Sequence, residues 1–311
     1  MDILSKITDA MQVVLSETAN AIARKTGFTK RQRKLSGSDF AQTLVFGWLD
    51  NPDSTIEELT QTAATLGVSI TPQGLDKRFT PDAARFLQGI LESAVSTVIA
   101  AEPVAIPILQ RFNGVFIQDG STVRLPDTLA VIWSGCGGSS PKNTSSSVKT
   151  QIRLDLNTGK LTGPYLQSGR EPDQNSQLRA ELLTLEEGFV LMRTRWQIEL
   201  VFKLWKSEGK IDEWRSEKPF RILCELYAKL VVMIIQHWIL LTSWQYPDRS
   251  LFKSVKTIRK HAMNLAMAFS SGSKKRLTEV LKTIARCLST GCRINKRKTI
   301  LHTYQLLLEF S

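Results

Sequence analysis

The sequence predicts an α/β chain in which an all-α N-terminal domain and a helical C-terminal region flank a central part that contains β-strands. Apolar residues recur at three- and four-residue spacing up to about Pro107, which is the helical period. Side chains alternate in character from Val148 to Leu156, which is the strand period, and helical spacing returns after about Ser176. We therefore predict three parts, at residues 1–107, 108–245 and 246–311.

The charge balance points to a polyanionic partner. The chain has 41 Lys and Arg residues against 29 Asp and Glu residues, a formal net charge of +12. Nucleic acid is favoured over a membrane surface because the most apolar stretch, Leu226 to Leu241, is interrupted by Lys229, Gln236 and His237. We predict a buried helix there, with His237 as a hydrogen-bonded core residue. The 42% apolar fraction excludes a disordered or collagen-like chain.

The N-terminus and the cysteines indicate a cytoplasmic protein. Charged residues interrupt the apolar positions of Met1 to Asn20, so this segment does not have the pattern of a signal peptide. The cysteines include no CxxC pair, and we expect reduced thiols rather than a zinc site or disulfides. The four are Cys136, Cys224, Cys287 and Cys292.

Residues 54–79 predict a helix, a turn and a second helix within the N-terminal domain. Ser54 can cap the first helix and Gly67 can end it. The second helix would carry Lys77 and Arg78, which could then contact DNA in a major groove. A hairpin of two helices without any DNA contact fits the same pattern and stays open as the alternative.

Basic clusters recur near both ends of the chain. Each fits either a phosphate-contacting surface or a solvated helix face. The clusters are Lys25 to Lys34, Arg259-Lys260, Lys274-Lys275-Arg276 and Lys296-Arg297-Lys298.

The central part begins with a short apolar run, Val115 to Ile117, which is followed after one residue by Asp119. A strand that ends just before Asp119 would fix this carboxylate at the edge of a sheet, a position suited to catalysis. The alternative is an aspartate that only caps the Gly120-Ser121 turn.

A β-hairpin is predicted further along. The alternating strand from Val148 to Leu156 leads through a tight turn at Asn157 to Gly159 into a third strand at Leu161 to Leu166. The Gly- and Ser-rich segment from Ser134 to Ser147 is predicted to be a flexible loop.

A single helix is predicted from Glu186 to Glu208, and its two faces differ. Ile198, Leu200, Val201, Leu204 and Trp205 form an apolar side. The opposite side carries one carboxylate, Glu199, in a stripe of cations and Met192. A surface ladder of i,i+4 ion pairs is the alternative for this stripe, whose cations are Arg195, Lys203 and Lys206.

At these residues the sequence resembles the DDE-type transposases of bacterial insertion sequences, in the branch marked by a Tyr-x2-Arg-x3-Glu-x6-Lys signature. Arg195, Glu199 and Lys206 match the signature at the required spacings, and Met192 stands where the tyrosine belongs. Further similar segments are Asp119 to Thr122, Leu125-Pro126, Gly137-Gly138, Arg215 to Pro219 and Glu225 to Lys229.

The resemblance implies a ribonuclease-H-like core in which Asp119 and Glu199 would be two of three carboxylates that hold a pair of Mg²⁺ ions, with Mn²⁺ as the alternative metal. It also implies that Arg195 and Lys206 contact DNA phosphates near the transposon ends, with Lys203 beside them in the same stripe. Two such ions would activate a water or a 3′-hydroxyl and stabilise the leaving oxygen of a phosphodiester.

One element of the family pattern is missing from this sequence. The family has a further strand that ends in the second catalytic aspartate, whereas only about 25 residues separate Asp173 from Ile198 here and they contain no such strand. Residues 177–187 predict a helix instead, and Asp155 lies within the earlier hairpin. We therefore expect an internal deletion between Ser176 and Leu185 and an incomplete sheet.

Two hypotheses follow for the function. The first is an insertion-sequence transposase that binds double-stranded DNA at the element ends but has impaired strand cleavage and joining. The second is a non-catalytic DNA-binding protein or inhibitor derived from a transposase. Either protein would be cytoplasmic and nucleoid-associated, as a homodimer or as a mixed dimer with an intact transposase, and without membrane contact.

Overall fold

A computed structural model describes residues 2–30, 35–135, 146–171, 185–246, 248–295 and 303–309. Over these residues the chain forms an N-terminal group of helices, a three-stranded antiparallel sheet and a second group of helices. The predicted α/β composition is confirmed at this level. The ribonuclease-H-like core and the three-part division at residues 107 and 245 stay predictions.

The N-terminal helices begin at polar caps that the sequence supplies. Ser36 caps α3 and Thr55 caps α4, each in a capping box with an acid three residues later, and Thr80 caps α6. A π-helical segment, Val13–Thr18, joins α1 to α2. The helices are α1 (Ile3–Gln12), α2 (Ala19–Lys25), α3 (Gly37–Asp50), α4 (Ile56–Thr65), α5 (Pro72–Asp76), α6 (Pro81–Ser96) and α7 (Pro107–Gln110).

The predicted helix-turn-helix differs from the observed α4–α5 unit in two ways. The cap of α4 is Thr55 and not Ser54, because the Ser54 hydroxyl instead donates to the carbonyl of Gly47. Helix α5 is only five residues long and ends at Asp76, so Lys77 and Arg78 follow it rather than lie on it. Gly67, at φ +80°, ends the first helix region as predicted.

The sheet has the order β1-β2-β3, with both neighbouring pairs antiparallel. Its strands are β1 (Phe116–Leu125), β2 (Ser146–Asp155) and β3 (Leu161–Ser168). The predicted hairpin between β2 and β3 is confirmed, and Gly159, at φ +67°, lies in its turn. Val148, Ile152 and Leu154 are buried as the alternation predicts.

Two predictions about these strands are wrong. Strand β1 does not stop before Asp119: it continues to Leu125, since Asp119 pairs with Ile152 and Thr122 with Lys149 in an unbroken ladder. Ser146 and Ser147 belong to β2 rather than to the predicted loop, because they pair with the end of β1. Residues 136–145 of that loop lie outside the described residues.

The predicted continuous helix from Glu186 to Glu208 is two helices, α8 (Leu185–Arg193) and α9 (Trp196–Ser207). Between them the amides of Thr194, Arg195 and Gln197 bond to carbonyls three residues earlier, which tightens the backbone and interrupts the α-helical ladder. The predicted helical segment at 177–184 lies outside the described part of the chain.

Helix α10 (Pro219–Leu240) runs through the centre of the core. It packs against α3 and α6 on one side and against α11 and α13 on another, and the predicted buried helix is thereby confirmed. The segment Pro219–Ser243 is long and apolar enough to span a membrane, but other elements cover it completely. One connected cluster of apolar side chains extends from Ile7 through this helix to Leu307.

Two helices of the C-terminal region, α11 and α13, pack against α10, and α12 packs against α13 and α3. A fourth helix, α14, lies near α7 and α8. Helix α11 starts at Leu251 because Ser250 caps it. The helices are α11 (Leu251–Lys260), α12 (Ala262–Ser270), α13 (Lys274–Gly291) and α14 (Thr303–Glu309).

Candidate metal and DNA site

Helix α9 lies against strand β1, so the fold brings together the two elements that carry Glu199 and Asp119. The Nζ of Lys206 donates a hydrogen bond to the carbonyl oxygen of Thr122 at 3.2 Å. Asp119 precedes Thr122 by three strand residues and Glu199 precedes Lys206 by seven helix residues, and both intervals span about 10 Å. Both acidic residues are half-buried.

Asp119 is held by its own backbone. Its Oδ1 accepts a hydrogen bond from the amide of Gly120 at 2.8 Å, while its main chain pairs with Ile152. The carboxylate thus lies on an edge strand of the described sheet. Its other oxygen, Oδ2, accepts no hydrogen bond from a described residue. The alternative that the sequence left open, a cap of a Gly120-Ser121 turn, is wrong, because both residues lie within β1 and no turn is present there.

Glu199 and the neighbouring cations do not form the alternative ion-pair ladder. Within the described residues, Glu199 forms no ion pair with Arg195 or Lys203, although the spacings would allow both. Arg195 and Lys203 are exposed, and Lys206 is half-buried with one hydrogen bond to Thr122. The stripe therefore keeps cationic groups and a carboxylate available to a ligand.

The other face of α9 anchors it in the core. Ile198, Val201, Phe202, Leu204 and Trp205 are buried, as the sequence predicted for four of them, while Leu200 is only half-buried. Trp196, at the start of the helix, is 61% exposed and Met192 is 72% exposed. Burial of one face fixes the position of Glu199 without covering it.

No third acidic ligand joins the two elements in the part of the chain that the structure describes. That part contains no group of three or more His, Cys, Asp or Glu residues placed to hold a metal ion. Asp155 is used elsewhere: its Oδ1 accepts from the Asn157 amide at 3.0 Å and its Oδ2 from the Thr158 hydroxyl at 2.6 Å. Asp173 lies outside the described residues.

Lys77 and Arg78, the two N-terminal candidates for DNA contact, lie far from α9 in sequence. The preceding residue, Asp76, nevertheless contacts the segment that follows α9. Lys77 is exposed and Arg78 is half-buried. The preceding Asp76 accepts from Lys218 at 2.6 Å and from Arg221 at 3.1 Å. The hydrogen bond from Lys218 holds the pKa of the Asp76 carboxyl below its usual range.

A buried charged cluster at the loop after α9 was not predicted. Lys229 Nζ pairs with Glu225 at 2.8 Å and donates to the carbonyls of Lys210 and Glu213 at 2.9 and 2.8 Å. Burial raises the pKa of Glu225, although the adjacent Lys229 opposes this effect. The i,i+4 spacing of Glu225 and Lys229 in an apolar helix is the signal that could have revealed the pair.

Comparison with known proteins gives the relationship. A model of the transposase DDE domain matches residues 141–235. The transposase of insertion sequence element IS231B from Bacillus thuringiensis subsp. berliner is 31% identical over 157 residues, and that of IS231F from subsp. israelensis is 26% identical over 172. This chain is related to the DDE-type transposases of insertion sequences. The resemblance found from the sequence is thereby confirmed.

The relationship to these transposases is partial in length. The two alignments cover 49% and 54% of this chain but 32% and 35% of the relatives. The transposase of IS1151 from Clostridium perfringens is 36% identical over 64 residues, which is 21% of this chain and 14% of that protein. The chain thus spans about a third of the length of the IS231 relatives it matches. No solved structure matches it.

The matched DDE domain contains one of the two site carboxylates. Residues 141–235 include β2, β3, α9 with Glu199 and most of α10, but the match begins after Asp119. The family relationship therefore bears directly on Glu199, Arg195, Lys203 and Lys206, whereas Asp119 depends on the contact between β1 and α9.

Proposed function

We propose that this chain functions in DNA transposition as an insertion-sequence transposase that binds element ends and is impaired in strand cleavage and joining. The observation that carries the proposal is the contact of α9 with β1, which places Glu199 and the Arg195, Lys203 and Lys206 stripe beside the strand of Asp119. Phosphates of double-stranded DNA would bind the cations, and a divalent metal ion would bind the carboxylates.

In this proposal the described residues would hold a single metal ion weakly and would not complete a two-metal centre. Asp119 and Glu199 provide hard oxygen ligands suited to Mg²⁺ or Mn²⁺, but no third acid accompanies them in the described ranges. Two carboxylates leave a second ion poorly held, and two-metal cleavage needs both ions. This is why we propose impaired chemistry, and we assign no residue to the role of the second aspartate.

A cleavage assay tests the proposal. The chain would be incubated with a supercoiled plasmid that carries IS231-type element ends, with Mg²⁺ or with Mn²⁺, beside Asp119→Ala and Glu199→Ala variants. We expect DNA binding with no nicking above that of the variants. Efficient nicking that either substitution abolishes would contradict the impairment, and no binding to any duplex at low salt would contradict the action on DNA.

A non-catalytic inhibitor is the second candidate, and the absence of a third acid in the described part of the chain favours it. Such a protein would occupy element ends, or would pair with an intact transposase as a mixed dimer. Titration of the chain into a reaction of an intact IS231-type transposase separates these two modes of inhibition. Inhibition that Arg195→Gln and Lys203→Gln relieve would indicate occupation of the ends, whereas inhibition that persists in this variant would indicate a mixed dimer.

The proposed location follows from the proposed function. A protein that acts on chromosomal DNA would be cytoplasmic and nucleoid-associated, and the free thiols of Cys224, Cys287 and Cys292 fit a reducing compartment. Cys136 lies outside the described residues. The proposal includes no membrane role, and other elements of the fold cover α10.

A further inference from the structure

The excess positive charge of the chain is concentrated far from α9 in sequence. Residues 251–295, which form α11, α12 and α13, contain ten Lys and Arg residues and a single acid, Glu279. This segment lies beyond residues 141–235, which the DDE domain model matches. The charge of this segment therefore lies outside the matched DDE domain.

Salt bridges neutralise only part of this charge. Lys274 pairs with Asp9, Lys282 with Glu279, and Lys256 and Arg259 pair with Glu208. Arg293 pairs with Asp248. Among the described residues, five exposed cations of this segment have no salt bridge: Lys253, Lys260, Lys275, Arg276 and Arg286. Of these, Lys253 donates hydrogen bonds to the carbonyl oxygen of Arg293 and to Oδ1 of Asn295.

Two of these unpaired cations line an open groove of about 700 Å³ between α12 and α13. Lys275 and Arg276 lie on the α13 wall, and His261 and Asn264 lie on the α12 wall. Glu279 also lines the groove, but Lys282 donates to it at 2.8 Å and the groove keeps an excess of positive charge. Met267, Ala268 and Val280 also line the groove, so it presents its charged side chains beside apolar surface.

Three of the unpaired cations, Lys275, Arg276 and Arg286, lie along α13. From Lys275 to Arg286 the helix rises about 16 Å, a length close to five base-pair steps of duplex DNA. Leu277, Leu281, Ile284 and Leu288 fill the opposite face of the helix and are almost completely buried. The stripe is therefore rigid and one-sided.

We propose that the groove between α12 and α13 is a second DNA-contact surface, which binds the sugar–phosphate backbone irrespective of base sequence. This inference rests on the proposed action on DNA. A recognition helix has to protrude into the major groove, but α13 packs against α1, α10, α11 and α12 and exposes a single face. Such a recessed stripe contacts phosphates, which carry no sequence information.

Salt-dependent binding of the full chain to a random-sequence duplex tests the groove. Each phosphate contact contributes about 0.9 to the slope of log affinity against log salt concentration. We expect the variant Lys275→Gln, Arg276→Gln, Arg286→Gln to lower this slope by roughly 3 and to weaken binding on the order of 100-fold at 100 mM salt. All three residues are exposed, and circular dichroism would verify that the variant folds.

A matched control removes the same net charge elsewhere in the segment. Lys253→Gln, Lys256→Gln, Lys274→Gln replaces cations that already bond to protein oxygens, and we expect its slope to change by less than about 1. Equal losses in both variants would show a net-charge effect and would overturn the proposal. So would an unchanged slope in the groove variant.

The outcome is separable from that of the proposed transposase function. The variant Arg195→Gln, Lys203→Gln, measured in the same titration, reports the α9 surface. If this α9 variant alone lowers the slope of log affinity against log salt concentration, the groove proposal fails while the α9 proposal stands. If the groove variant lowers that slope, the groove proposal holds whether or not the chain cleaves DNA. No binding of the unmodified chain to a duplex at 20 mM salt would overturn it.

Discussion

His237 is a neutral side chain inside helix α10, and its environment makes the stability of the fold dependent on pH. Its Nε2 lies 2.7 Å from the carbonyl oxygen of Gly159 in the hairpin turn, so the ring bridges the sheet and the helix. Burial lowers the pKa of His237 to about 4, despite the opposing effect of the hydrogen bond to Gly159. A protonated, charged ring would be unfavourable in this buried position.

We expect the free energy of unfolding to fall as the pH decreases from about 6.5 towards 4. In this window the unfolded chain binds a proton at His237 and the folded chain does not. The loss from this residue between pH 7 and pH 5 should be about 2 kcal/mol. Urea unfolding at both pH values measures it, with His237→Gln as the control that lacks the titrating group. Equal pH dependence of the two proteins would contradict the assignment.

Lys229 and Glu225 form a second residue-scale feature with a clear energetic consequence. Their side chains are 2% and 6% exposed, so each charge depends on the other. We expect Lys229→Met to lower the free energy of unfolding by about 3–5 kcal/mol, because it leaves the Glu225 carboxylate buried without a partner. The double variant Lys229→Met, Glu225→Leu should recover part of the loss in urea titrations. A single variant within about 1 kcal/mol of the unmodified chain would contradict this.

The two residues also show what a sequence can predict at this scale. His237 interrupts an apolar run, and burial with a hydrogen bond is the ordinary fate of such a residue, so its role was predicted and is confirmed. The carbonyl partners of Lys229 come from Lys210 and Glu213, in a loop whose position depends on the packing of α9. No local pattern contains that information.

At the scale of elements, the α4–α5 unit is tied to the start of α10 by ion pairs. Asp76 at the end of α5 bonds to Lys218 and Arg221, and Asp53 before α4 pairs with Lys210 at 2.5 Å. The unit that carries Lys77 and Arg78 is therefore fixed relative to the loop that follows α9. This arrangement would hold the predicted DNA-contact residues Lys77 and Arg78 at a constant separation from the cationic stripe of α9.

The substitution Asp76→Asn should loosen that attachment. We expect faster amide hydrogen exchange in α4 and α5, with α10 unchanged, and a loss of about 1 kcal/mol in the free energy of unfolding, because the pairs are partly exposed. Asp82→Asn is a suitable control, since among the described residues Asp82 pairs with Arg85 of its own helix. Exchange rates in α4 and α5 that match those of the control variant would show that Asp76 does not hold the unit.

The errors in element prediction have a common physical origin. Local pattern placed the end of the first strand before Asp119, since Gly120, Ser121 and Thr122 have little apolar character. Pairing with β2 extends the strand through all of them. Likewise the apolar period runs unbroken through Thr194 and Arg195, but the backbone there is tightened by three-residue hydrogen bonds that the period does not encode.

At the scale of the whole molecule, one core joins parts that the sequence divides. The apolar side chains of α3 and α6, from the N-terminal helices, pack directly on α10, which also supports α9 and the C-terminal helices. Composition shifts predict a boundary near Pro107, but they do not reveal which surfaces are buried across it. Long-range packing of this kind is beyond single-sequence pattern analysis.

This shared core makes the proposed boundary at residue 107 testable. If residues 108–311 were expressed alone, the face of α10 that contacts α3 and α6 would be exposed. Because a large exposed apolar surface favours association, we expect this fragment to aggregate or to bind a hydrophobic dye strongly.

The full chain should unfold in urea as a single transition. Trp48 reports the N-terminal helices and Trp238 reports α10. Variants in which one of these two is the single tryptophan left of the seven should give the same midpoint by fluorescence as by circular dichroism. A soluble, cooperatively folding 108–311 fragment, or two separate midpoints, would instead establish residues 1–107 as an independent domain. In that case the α4–α5 unit would act as a separate DNA-binding module, and the constant separation between it and α9 would no longer follow.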